Sequence, residues 1–214
     1  MNFRLLVVFA IAMVLAACSS MYYGAMEKVG IHKRDIMVDR VKSARDTQNA
    51  AKEQFQTALE QFKAVVKVQG GNLEREYNRL DAALKESESK ATEVRDRISA
   101  VEDVSEALFS EWRVEIKQYN SDTLRQSSQR KYDQARKKYT ELIAAMKKAE
   151  ARLEPALIPL RDQVLFMKHN LNARAIAGLS SEVISVQANV DTLVRDMESA
   201  IAQADSFIAA LQLE

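Results

Sequence analysis

Residues 41–66 read VKSARDTQNAAKEQFQTALEQFKAVV. Within them Val41, Ala44, Gln48, Ala51, Phe55, Ala58, Phe62 and Val65 recur at alternating steps of three and four, with mostly polar residues between. A 3.5-residue apolar repeat held over several heptads marks a helix that buries one stripe against partner helices. A strand would instead alternate with period two.

The same spacing extends outward in both directions. The first segment runs over about 34–68, and Gln69-Gly70-Gly71-Asn72 breaks it with residues that tolerate left-handed backbone. A second segment covers about 73–119, with Leu80, Leu84, Ala91, Val94, Ile98, Val101, Leu108, Trp112 and Tyr119 on its seam. Asn120-Ser121-Asp122 is a turn and helix N-cap signal. A third runs from about 122 to 177, clearest from Tyr132 through Tyr139, Leu142, Met146 and Leu153 to Leu160. Gly178 is expected to end it, and Ser180 or Ser181 to cap a fourth seam from Val183 to Leu211. Pro155 and Pro159 fall inside the third segment, but the seam crosses both without a phase change, which favours a kinked helix over a break.

Composition agrees. The 214 residues include only 5 Gly and 2 Pro, where average usage would give roughly 15 and 11. So few turn residues exclude a sandwich or barrel and argue against a Rossmann-type enzyme. The predicted fold is all-α: an elongated antiparallel bundle of about four long helices, with short connections joining antiparallel neighbours. Lys and Arg outnumber Asp and Glu by 9 to 6 over 27–69 and by 12 to 6 over 122–178. They are outnumbered 8 to 12 over 73–119 and 1 to 6 over 179–214. Such alternation selects register and partner more than it adds stability, because each exposed pair contributes only a few tenths of a kcal/mol. At 1.5 Å per residue, helix two spans roughly 70 Å and helices one and four about 50 Å. The surplus, about 106–140, is expected to project as a two-helix tip near Ser121.

The first twenty residues read as an address. A short basic stretch, Asn2-Phe3-Arg4, precedes an apolar run from Leu5 to Leu15 that is too short to span a bilayer. Leu15-Ala16-Ala17-Cys18 follows, and this string resembles the lipobox of bacterial lipoproteins. The resemblance implies cleavage before Cys18, lipid on its thiol and amine and, with Ser19 next, an outer-membrane destination on the periplasmic face. Two or more acyl chains would anchor it stably. The organisation expected is a signal peptide over 1–17, a lipidated Cys and linker over 18–33, and one helical domain over 34–214.

Chemistry is hard to find. The chain has no phosphate-binding G-x-x-x-x-G-K-[ST] loop, no G-x-S-x-G elbow and no H-E-x-x-H. It has two His, His32 and His169, and one Cys, so no disulfide framework, cofactor or metal is expected. One polar cluster stands out: Lys168, His169, Asn172 and Arg174, after the prolines, with His169 and Asn172 at i, i+3 on one helix face. It reads as a small polar site at the base of the bundle, or as a hydrogen-bonded register lock or a solvated helix end. Arg125 to Arg152 carries nine basic and three acidic residues. That stripe either pairs with acidic helix two or faces anionic lipid headgroups. An exported chain should not meet nucleic acid. At the tip, Phe109, Trp112 and Tyr119 are candidates for a partner surface. Trp112 and Tyr119 lie on the seam and are expected inside, whereas Phe109 lies off it and is the candidate for exposure.

Three strings, Tyr23-Gly24-Ala25-Met26-Glu27-Lys28-Val29-Gly30, Ala100-Val101-Glu102-Asp103-Val104 and Lys168-His169-Asn170-Leu171-Asn172-Ala173-Arg174, resemble a family of uncharacterised envelope lipoproteins found mainly in Gram-negative proteobacteria. The resemblance covers about 22–210. It implies lipoprotein processing and a helical fold, and no reaction or catalytic residue. The function expected is a non-enzymatic structural or adaptor role in the cell envelope, with an envelope protein as partner and a homo-oligomer open. The alternatives are a lipid-contacting scaffold acting through 122–178 and a small ligand-binding module near His169.

Overall fold

A computed structural model of the chain describes residues 32–67, 72–172, 176 and 178–212. The lipobox-like residues Leu15, Ala16, Ala17 and Cys18, the break at 69–71, and Arg174 lie outside the described residues.

Among the described residues five long α-helices follow one another: α1 (Lys33–Lys67), α2 (Leu73–Ile116), α3 (Asp122–Glu150), α4 (Leu153–His169) and α5 (Glu182–Gln212), with a 3-10 turn at Gly178–Ser181 before the last. There is no strand among the described residues. The chain goes up, down, up along α3 and α4, and down again. Lys33 Nζ reaches Glu111 at 2.9 Å, and Gln54 donates to the Ala83 carbonyl at 2.9 Å, so α1 and α2 run antiparallel. Trp112 Nε1 donates to Ser128 Oγ at 2.9 Å, and Lys147 pairs with Glu102 at 2.9 Å, which sets α3 antiparallel to α2. Arg45 meets Asp205 at 2.8 Å and Lys52 meets Glu198 at 3.8 Å, so α5 closes the bundle against α1. On its other side α5 packs on α3 through Tyr139 and Phe207 and through Lys148 and Asp196.

The seams are the core. All eight seam positions of α1 from Val41 to Val65 are buried, and so is every α5 seam position from Val186 to Leu211. Because each helix touches two neighbours, the buried stripe is wider than a two-stranded seam. Ile36, Met37, Leu59, Val104, Leu157, Val164 and Ile208 join it from flanking positions. Among the described residues the core runs from Ile36 to Leu211.

Two expectations about the third segment are corrected. The hydrogen-bond ladder is interrupted at Ala151 and Arg152, giving two helices instead of one kinked helix. Proline physics explains the place. Pro155 has no N–H for the Ala151 carbonyl, and its ring crowds that carbonyl. Ala151 (φ −64°, ψ −14°) and Arg152 (φ −90°, ψ −11°) nevertheless keep right-handed helical dihedrals. The path therefore bends without reversing, and Leu153, Ala156 and Leu160 stay on the buried seam. Pro159 remains inside α4. The second correction concerns the end of the segment. α4 stops at His169, with Asn170 leaving the helix at φ −130°, ψ 44°. Gly178 opens the 3-10 turn, and a Cβ there would meet only open space.

The turn signals at 120–122 hold. Ser121, in extended backbone at ψ 120°, accepts a hydrogen bond from the Leu124 N–H at 3.4 Å and caps α3.

Candidate functional site

The projecting tip is real but shorter than expected. Leu211 near the end of α5, His32 and Arg34 at the start of α1, and Leu108, Glu111 and Trp112 of α2 line one surface groove. All four strands of the bundle therefore reach that level. Beyond it, among the described residues, the α2–α3 hairpin continues, over about 113–127. From Trp112 to the turn at Asn120 the projection is about 12 Å. Much of 106–140 lies inside the bundle instead: Leu108, Phe109, Ala135 and Tyr139 are all buried.

This reverses the expected order of the aromatic residues. Phe109 is 2% exposed, Trp112 is half-buried and Tyr119 is 39% exposed. Phe109 sits edge-on to Tyr132 at 5.7 Å and against Tyr139 at 5.5 Å, with the Arg136 guanidinium over its ring at 5.0 Å. At its level α3 flanks α2, so a position off the α1-facing seam still faces a neighbour. Tyr119 keeps the seam register, but it has passed the end of α2 and no helix stands opposite. Of the three, only Tyr119 offers a partner most of a ring edge.

At the tip Val114 and Leu124 are each 56% exposed. Around them Arg113, Lys117, Arg130 and Lys131 are exposed and form no ion pair among the described residues. Arg125 is committed: it pairs with Asp122 and donates to the Tyr119 carbonyl at 3.2 Å.

Further along the basic stripe Lys138 pairs with Glu141 of its own helix, Lys137 is exposed, and three other cations reach across to neighbouring helices. Lys147 bridges to Glu102 on α2, and Lys148 and Arg152 converge on Asp196 of α5 at 2.8 and 3.2 Å. Burial alone would raise the Asp196 pKa, but the hydrogen bonds and charges of Lys148 and Arg152 outweigh it and hold the carboxyl below the ordinary aspartate range. Along α4, Arg161 reaches Glu88 of α2 at 2.5 Å and also pairs with Glu154, which in turn meets Arg95. The Arg161 hydrogen bond is the main reason that the Glu154 pKa is lowered. The charge alternation read from the sequence thus becomes contacts with both acidic helices, α2 and α5.

Lower down the bundle, α4 turns an apolar face outward. Ile158, Leu165 and Phe166 are 49%, 62% and 42% exposed, and their spacing puts them on one side of the helix. Leu171 and Ile184 are exposed near the same end. Nothing in the pattern flagged these positions, because Arg161, Asp162 and His169 share their side of α4 and no apolar stripe stands out there.

The described part of the polar cluster does not share one helix face. Lys168 and His169 are exposed at the end of α4, and Asn172 lies three residues on, after the chain has left the helix. The i, i+3 face expected for His169 and Asn172 does not form. Among the described residues no three His, Cys, Asp or Glu side chains come together to hold a metal, and no helix is long and apolar enough to cross a membrane.

The family is shown by the chain's whole helical part. Residues 22–211 match DUF2959, a family of proteins of unknown function. The chain belongs to that family. No curated protein matches it. The DUF2959 match begins just after the Cys18 string and ends at Leu211, so family and bundle coincide.

Proposed function

We propose that this DUF2959 chain is a lipid-anchored, non-enzymatic adaptor of the bacterial envelope. In this reading Cys18 carries the lipid, the bundle stands at the periplasmic face of the outer membrane, and the outer face of α4 receives a second envelope protein. The observation that carries it is the α4 face: three large apolar side chains in solvent on one 17-residue helix. Large apolar side chains grouped in solvent on one helix mark an interaction site. The lipobox-like Leu15-Ala16-Ala17-Cys18 supports the anchor, and residues 19–32 supply a tether between Cys18 and α1.

Two experiments test the two halves. Cells fed an alkyne-tagged fatty acid should label the chain, and Cys18→Ser should lose the label and leave the outer-membrane fraction. Persistent labelling of C18S removes the anchor. For the adaptor, a photo-crosslinking residue at position 165 should trap one discrete envelope protein, whereas one at position 129 on α3 should not. L165S/F166S combined with a crosslinker at 162 should trap it no longer. Crosslinks only to a second copy of the chain would replace the adaptor with a homo-oligomer.

A further inference from the structure

We infer that the tip of the α2–α3 hairpin, about residues 113–131, docks on a negatively charged phospholipid surface. Three observations converge on that occupant. First, among the described residues the tip outruns the rest of the bundle at this end by about two turns of helix, so it is placed to meet a flat surface end-on. Second, its composition is amphiphilic in the way an interface demands. Val114, Leu124 and Tyr119 are exposed among Arg113, Lys117, Arg130 and Lys131, four cations without an ion pair among the described residues. Over 113–131 there are five basic residues (these four and Arg125) against two acidic ones, Glu115 and Asp122. Asp122 is already taken by Arg125. Basic residues near an anionic surface each contribute about 1 kcal/mol, and exposed apolar side chains between them add burial below the headgroups.

Third, the chain enters the bundle at this end. Lys33, the first residue of α1, is bonded to Glu111 of α2 beside the tip. The 31 residues before His32 therefore join the fold here, and not at the α4 end. Fully extended, residues 19–32 reach about 45 Å. That exceeds the 12 Å projection several times over, so an anchor at Cys18 leaves the tip free to touch the membrane that holds it. The α4 end lies a further 35-residue helix away, about 50 Å. The anchor reading only decides which membrane the tip meets; the affinity belongs to the tip itself.

The test therefore uses residues 19–214, which hold the whole DUF2959 match and lack Cys18. At low ionic strength this domain should sediment with phosphatidylglycerol vesicles and not with phosphatidylcholine vesicles. Raising salt from about 0.05 to 0.5 M should weaken the partition about tenfold or more. R113Q/K117Q/R130Q/K131Q should lose at least tenfold, and V114S/L124S severalfold. L165S/F166S should bind like the parent. Thermal melts of each variant should coincide with the parent, because all the altered side chains are exposed. No binding to phosphatidylglycerol, equal binding to neutral vesicles, or undiminished binding by the charge variant would each overturn the inference. Failure of C18S to lose its lipid label would leave this result untouched, and failure here would leave the anchor and the α4 face untouched.

Discussion

Phe109 and Tyr119 stand ten residues apart on one stretch of chain, and their surroundings are opposite. Phe109 is off the first seam and buried; Tyr119 is on the seam and exposed. The heptad pattern is the same in both places, but the number of helices at each level is not. Around Phe109 the chain has three other helical strands to pack against, so two faces of α2 are covered. Around Tyr119 only the start of α3 is present. A seam tells which face of a helix is apolar; burial also needs a partner at that height.

The largest effect should separate these two positions. Phe109→Ala removes a ring packed on Tyr132 and Tyr139 and should cost about 3–4 kcal/mol. Tyr119→Ala should stay within about 0.5 kcal/mol. Urea unfolding of both variants measures the gap. Similar losses would mean that the tip is part of the cooperative core, and the distinction between the two levels would break.

Gln48 sharpens the comparison from inside the four-helix section. It occupies a seam position, is fully buried, and neither amide atom has a partner. The serines on the neighbouring seam are different: Ser87 and Ser105 donate to the carbonyls of Ala83 and Glu102 at 2.8 and 2.7 Å. A buried polar group without a partner is expensive, and an apolar residue of similar volume relieves it. Gln48→Leu should therefore raise stability by about 1–2 kcal/mol. A loss of stability instead would show that the amide is satisfied by water within the core. If Gln48 serves to fix register, as polar seam residues do in coiled coils, the stabilised variant should also show a broader or mixed oligomeric distribution by sedimentation.

These cases mark what the sequence could carry. Every seam residue of α1 was legible, because α1 has α2 and α5 beside it, so burial there follows the local spacing. The turn at Ser121 was legible because its cap is a local hydrogen bond. The interruption before Pro155 was half-legible: proline chemistry locates it, but whether the path bends or breaks depends on neighbours that keep Leu153 and Leu160 packed. The His169–Asn172 face depended on a helix reaching 177, and three residues decided it. The tip was located by length arithmetic and its extent was not, since Leu211 and Lys33 close the bundle at a height set by tertiary register. The outward α4 face had no periodic signal at all.

The smallest effect compares two aspartates, one at each kind of level. Asp196 is buried on α5 between Lys148 and Arg152; Asp122 pairs with Arg125 in the open tip. Asp196→Asn should cost about 1 kcal/mol near neutral pH, since its partners are themselves half in water and screened. Asp122→Asn should cost at most a few tenths. The pH dependence carries the sign. The Asp196 carboxyl is held below its ordinary value in the fold, and the unfolded chain protonates it near the usual value of about 3.9. The folded state then binds fewer protons, so its stabilisation is fully present above about pH 4 and is lost as pH falls through the lowered folded value. The stability gap between the parent and D196N should be constant from pH 7 to about 5 and close at lower pH, where both side chains are neutral. A gap that stayed open in acid would mean that the aspartate acts through its shape and not its charge, and the ion pairs of the four-helix section would then be ordinary surface pairs like the one at the tip.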